Sequence, residues 1–189
     1  MAPAILRRTS SRFGRRDQRR CGSDGKLLAF SPAGSGWKVL ILALPALTEE
    51  GELPPGVHRA PLSEVRARFG VGAARRKTLM LRLERIYRNA HATGRLNRFV
   101  VFGSFVTRKP EPQDVDVFLV MADAFGASEL AGDMRLLFDH GAAQAHFGAS
   151  VFWVRRRAAW PDEQLAVEFW QVKRGGGRRG IVEIIEETA

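Results

Sequence analysis

Two spacings of apolar side chains divide this chain into elements. Between residues 74 and 93, Leu79, Leu83, Ile86, Tyr87 and Ala90 recur every three or four positions. That spacing predicts an amphipathic helix stopped by Gly94. Its other face carries Arg75, Arg76, Lys77, Arg82, Arg85 and Arg88, which reads as a solvated basic face or a surface for phosphate. Short apolar runs at 99–102, 115–120 and 149–154 predict three strands, and 181–185 a fourth. Between them, 128–140 is expected to be helical, with Leu130, Met134, Leu137 and Phe138 facing inward. Pro161 opens a further expected helix to residue 173, with Leu165, Phe169 and Val172 as its core stripe. Upstream, Leu53-Pro-Pro-Gly-Val-His58 reads as an extended segment turning at Gly56. Ser63 is placed to cap a short helix to Arg68, ended by Gly70. The order α-β-β-α-β-α-β predicts an α+β fold, a small mixed sheet backed by helices.

Charge splits the 189 residues in two. The chain carries 30 Lys and Arg against 20 Asp and Glu, a formal +10. Residues 1–43 hold nine of the basic residues and two of the acidic, so 44–189 is nearly balanced at +3. The expected organisation is therefore a basic, disordered arm over 1–43 and a folded domain over 44–189. Three readings of the arm stand: an upstream mis-assigned start, a nucleic-acid-binding tail, or a targeting peptide. A generic DNA-binding module would need its basic excess on the folded part, and the near-neutral 44–189 region argues against it. One cysteine, Cys21, leaves no internal disulfide framework and fits a cytoplasmic setting. His58, His91, His140 and His146 show no paired zinc spacing. No apolar run approaches the ~20 residues of a membrane span.

The chemistry concentrates in one stretch, residues 98–120. An apolar strand ends in Gly103-Ser104, and a polar loop with Arg108 and Lys109 leads to a second strand opening with Asp114 and Asp116. Positions i and i+2 of a strand share a face, so the two carboxylates point the same way with Val115 and Val117 behind them. Adjacent carboxylates repel and lose hydration, so they call for a compensating charge. A hard cation such as Mg²⁺ supplies it through oxygen ligands. The Gly-Ser turn is suited to phosphate: glycine permits close backbone approach, and a hydroxyl with exposed N–H groups can hold phosphate oxygens. The Gly-rich, Arg-containing loop at 175–180 lacks a P-loop pattern and reads as a structural turn.

Gly103-Ser104, nine intervening residues, then Asp114-x-Asp116 between apolar strands resembles the signature of the DNA polymerase beta-like nucleotidyltransferase superfamily. Leu53-Pro-Pro-Gly-Val-His58, Gly103-Ser-Phe-Val-Thr107 and Gly180-Ile-Val-Glu183 make the chain similar to its small, mostly unassigned bacterial members, over roughly residues 44 to 189. The resemblance implies Mg²⁺-dependent transfer of a nucleoside monophosphate from a nucleoside triphosphate to an acceptor hydroxyl. Asp114 and Asp116 would hold two Mg²⁺ ions about 3.5–4 Å apart. Gly103 and Ser104 would bind the β- and γ-phosphates, with Arg108 and Lys109 near enough to neutralise them. The acceptor is open: a small molecule, an RNA end or a protein side chain.

The superfamily also implies a third carboxylate on a later strand. Strand 149–154 has none, and Ser150 stands at the expected position. Asp139 and Glu168 are the nearest acidic alternatives, both on expected helices. Two function classes follow: a nucleotidyltransferase, or a catalytically impaired binding or regulatory module with a protein partner, as in toxin–antitoxin systems.

Overall fold

In a computed structural model, the described part of the protein is residues 44–186. The arm and its three readings lie outside the described residues. What is described is an α+β fold built on one mixed five-stranded sheet. Strand β1 (Val57–Pro61) runs directly into α1 (Leu62–Phe69), and α2 (Ala74–Ala92) follows. Next come β2 (Leu96–Phe102), a single 3₁₀ turn (Gly103–Val106) and β3 (Val115–Met121). The chain continues through α3 (Gly132–Leu137), α4 (His140–Phe147), β4 (Ala149–Arg155), α5 (Glu163–Glu168) and β5 (Ile181–Ile185).

Across the sheet the order is β1-β5-β2-β3-β4. β2 lies antiparallel to β3 and β5, while β1–β5 and β3–β4 are parallel. The end of β2 therefore lies beside the starts of β3, β4 and β5, and this edge of the sheet carries the candidate chemistry. One face packs Phe99, Val101, Val115, Val117, Leu119, Val151 and Val182 against buried side chains of α1, α2, α3 and α4. The other face, bearing Val100, Phe102, Phe118, Val120 and Ile181, is smaller and packs against Val167 of α5 and Trp170. Among the described residues no helix is long and apolar enough to cross a membrane.

Several local expectations require correction. Residues 57–61 form a strand, because their backbone pairs in parallel with β5; a pairing partner more than a hundred residues away leaves no local signal. Ser63 does not cap α1. The strand enters the helix directly at Leu62, with Pro61 in the cap position and no side-chain cap. The helix expected over 128–140 is broken: Asp139 accepts a hydrogen bond from the Ala142 N–H at 2.7 Å and starts the separate helix α4.

The stripe expected at Leu165, Phe169 and Val172 faces water, the three being 49%, 67% and 53% exposed. Asp162 caps α5, accepting from the Leu165 N–H at 2.8 Å, and a 3₁₀ turn (Phe169–Gln171) follows the helix. The inward side chains are Val167, Trp170 and Gln171. Both faces of this segment carry apolar residues, so periodicity alone does not choose between them. The sheet does, because Trp170 stacks on Phe102, Phe118 and Phe152 with ring centroids 4.5, 5.1 and 4.8 Å apart.

Candidate phosphate and metal site

Asp114 and Asp116 do share a face, and Val115 and Val117 behind them are fully buried. Asp116 pairs across the sheet with Phe102 on one side and Ser150 on the other. Its carboxylate rests against Gly103. A Cβ at Gly103 would lie 1.8 Å from Asp116 Oδ2, and Gly103 has φ +80. Only glycine satisfies both the left-handed backbone and the contact. The turn and the carboxylate, separated in sequence by a loop, are thus one packed unit.

The charges around the pair are unbalanced. Burial, with the nearby negative charge of Asp114, pushes the Asp116 carboxyl up to about 6, against opposing pulls from Arg179 and Arg174. No ion pair to either carboxylate forms among the described residues. Asp114 Oδ2 accepts one hydrogen bond, from Ser150 Oγ at 3.1 Å. Two oxygen-donor side chains without a cation in contact suit a hard divalent ion that completes its shell with water and phosphate oxygens. A third acidic ligand is not at hand. Among the described residues no group of three His, Cys, Asp or Glu side chains could hold a metal. Asp139 is engaged as the α4 cap. Glu168 accepts from Gln164 Nε2 at 2.9 Å and lies 3.7 Å from Arg178 Nη2.

The loop between the turn and the carboxylates is held from α2. Arg76, expected on a solvated basic face, is instead buried. Its guanidinium donates to the carbonyls of Phe69 at 2.9 Å, Phe105 at 3.0 Å, Thr107 at 2.6 Å and Lys109 at 2.5 and 3.1 Å. Desolvation lowers its pKa from the ordinary arginine value. The five-donor fork of arginine matches this array of carbonyls, which an ammonium could not span. Arg75 donates to the carbonyls of Pro112 and Gln113. Two of the six basic residues on this helix therefore shape the loop and leave the other four outward or on other contacts. Arg82 reaches the Gly148 carbonyl at 3.5 Å, and Arg85 pairs with Asp133.

Arg108 and Lys109 lie exposed on this loop. The Arg108 N–H donates to the Gly51 carbonyl at 2.7 Å, and the Lys109 N–H to Thr107 Oγ1 at 3.2 Å. The cations whose field is felt at Asp116 are others, Arg174 and Arg179. They come from the Gly-rich segment read above as a structural turn. That segment is a hairpin: Val172 bridges Arg178, and the Lys173 N–H donates to the Gly177 carbonyl at 3.1 Å. The composition Lys173-Arg174-Gly-Gly-Gly-Arg178-Arg179 was the available signal. Its proximity to Asp116 follows only from β5 lying beside β2. Ser104 is half-buried in its turn, and its carbonyl accepts from Thr107 Oγ1 at 2.7 Å. Its own hydroxyl makes no hydrogen bond among the described residues.

Residues 45–185 match the family described as a family of unknown function, DUF6932, and the chain belongs to that family. Neither the curated proteins nor the solved structures hold a match to it.

Proposed function

We propose that the protein transfers a nucleoside monophosphate from a nucleoside triphosphate to an acceptor hydroxyl, with Mg²⁺ as cofactor. The observation that carries this reading is the packed unit of Gly103, Ser104 and Asp116, with Asp114 alongside and no cation in contact with either carboxylate. Asp114 and Asp116 would hold the ion, and phosphate oxygens would complete its shell. Bound there, Mg²⁺ offsets the charge that develops on the phosphates. The chain's own residues orient the substrate: Ser104 Oγ is free to donate to a phosphate oxygen, and Arg76 fixes the loop that carries the turn. The acceptor oxygen bonds to the α-phosphorus as the bond to the β-phosphate oxygen breaks. Pyrophosphate leaves with that electron pair, and the hydroxyl proton passes to water.

Ser150 favours a second reading. It stands in register with Asp116 and donates to Asp114, where the resemblance implies a third carboxylate. On that reading the fold is a binding or regulatory module that acts through a protein partner. Incubation with labelled nucleoside triphosphates, Mg²⁺ and candidate acceptors separates the two. Transfer that disappears in Asp114→Ala and Asp116→Ala supports the enzyme. A folded protein that labels no acceptor with any nucleotide, yet co-purifies with a stoichiometric partner in wild type and double variant alike, overturns it. The single cysteine suits a cytosolic setting for either reading.

A further inference from the structure

The hairpin of residues 172–179 carries Lys173, Arg174, Arg178 and Arg179 and no acidic residue. Its position is fixed by contacts that lead back to the Gly-Ser turn. The Arg179 N–H donates to the Gln171 carbonyl and the Gly180 N–H to the Leu53 carbonyl, at 3.0 and 2.8 Å. β5 then pairs antiparallel with β2, Val182 opposite Val101, so residues 179–180 arrive beside the turn that ends β2. Glu52 ties the two parts together. Its carboxylate lies 3.0 Å from Lys173 Nζ and 3.7 Å from Arg179 Nη1. Its backbone bridges Thr107, whose hydroxyl holds the Ser104 carbonyl at 2.7 Å.

Were these cations countercharges for the aspartates, they would contact them. They do not: Lys173 and Arg179 pair with Glu52 and Arg178 with Glu168. Arg174 is exposed and makes no ion pair among the described residues. The hairpin cations therefore stand near the carboxylates without touching either of them. A metal–polyphosphate matches that separation, presenting its cation to carboxylates and its anionic oxygens to guanidinium groups.

We propose that the hairpin is a polyphosphate-binding element, with Arg174 and Arg179 contacting the terminal phosphates and Glu52 positioning the hairpin beside the Gly103-Ser104 turn. This rests on the nucleotidyl-transfer reading for its biological substrate. The binding site itself can be tested without transfer. Inorganic tripolyphosphate with Mg²⁺, titrated calorimetrically into the full chain, is the probe.

The wild type should bind it. Arg174→Ala and Arg179→Ala should each weaken binding about tenfold or more, as expected for lost charge-assisted hydrogen bonds. Arg88→Ala, an arginine of α2 outside this cluster, should leave it unchanged. Glu52→Gln should weaken tripolyphosphate binding while nucleoside binding stays the same, a split that a general loss of folding would not produce. Failure of the wild type to bind tripolyphosphate overturns the proposal, and so does an Arg174→Ala, Arg179→Ala double variant that binds like wild type. Hairpin-dependent binding without nucleotide transfer upholds the site and removes the transfer reading. Transfer with an unchanged KM for the triphosphate in the double variant does the reverse.

Discussion

Glu183 and Asp116 lie on the same face of the same sheet, and the fold treats them in opposite ways. Glu183 is buried in β5 and receives a bidentate guanidinium, with Arg98 Nε and Nη2 at 2.9 and 2.8 Å. Arg98 is itself shared with Gln164 and lies 3.9 Å from Glu163, so the pair also docks α5. Asp116, nearer the sheet edge, has Asp114 beside it and no guanidinium in contact. This sequence can neutralise a carboxylate on that face, and does so where the role is to join a helix to the sheet. At the edge it leaves the charge open, which costs stability and retains capacity for a cation. The difference separates a carboxylate committed to holding the fold from one left open, which the proposed function puts to use.

Breaking the satisfied member should have the largest effect. Glu183→Ala leaves the partly buried Arg98 with only Gln164 and the more distant Glu163 and should destabilise the fold by about 3 kcal/mol in urea denaturation. A change under about 0.5 kcal/mol would show the pair to be dispensable and void the contrast. Arg76→Lys comes next. One ammonium cannot reach four carbonyls, so a loss of about 1–3 kcal/mol is expected. It should be accompanied by faster hydrogen exchange over residues 105–113, because the lost contacts hold that loop; unchanged exchange there would argue against the clamp.

Asp116→Asn should act in the opposite direction. Removing a charge held in a partly buried site should raise stability at pH 7 by about 1–2 kcal/mol, water at its exposed edge screening part of the charge. A lower melting temperature in this variant would remove the claim that Asp116 carries uncompensated charge.

The smallest effect is the pH dependence, and its sign is fixed. Asp116 has its folded pKa raised from 3.8 to about 6, so between those values the folded state binds the proton and the unfolded chain does not. Stability from this group falls as pH rises from about 4 to about 6 and levels off above. The slope should vanish in Asp116→Asn. Above pH 6, Mg²⁺ should raise the melting temperature of wild type and leave that of the variant unchanged. A Mg²⁺ shift that persists in Asp116→Asn would place the ion elsewhere.

Much of this was legible in the sequence where cause and effect are close together. β2, β3 and β4 follow from short apolar runs, and α2 from its 3.6-residue period. The shared face of Asp114 and Asp116 follows from strand geometry alone. β1 was not legible, since what makes residues 57–61 a strand is the distant backbone of β5. The orientation of α5 was not legible either, because its inward face was selected by the aromatic rings of Phe102, Phe118 and Phe152.

The sequence by itself determined the α+β class, the Gly103-Ser104 turn and the paired carboxylates, because each depends on neighbours a few bonds apart. It also showed that strand 149–154 brings no third carboxylate. Tertiary structure alone decided that Arg76 is a buried clamp and that Gly103 carries the weight of Asp116. It likewise brought a basic hairpin some seventy residues downstream to the same edge as the turn. Those outcomes depend on which strands pair. Strand pairing brings together residues far apart in the chain, and a local pattern cannot specify it.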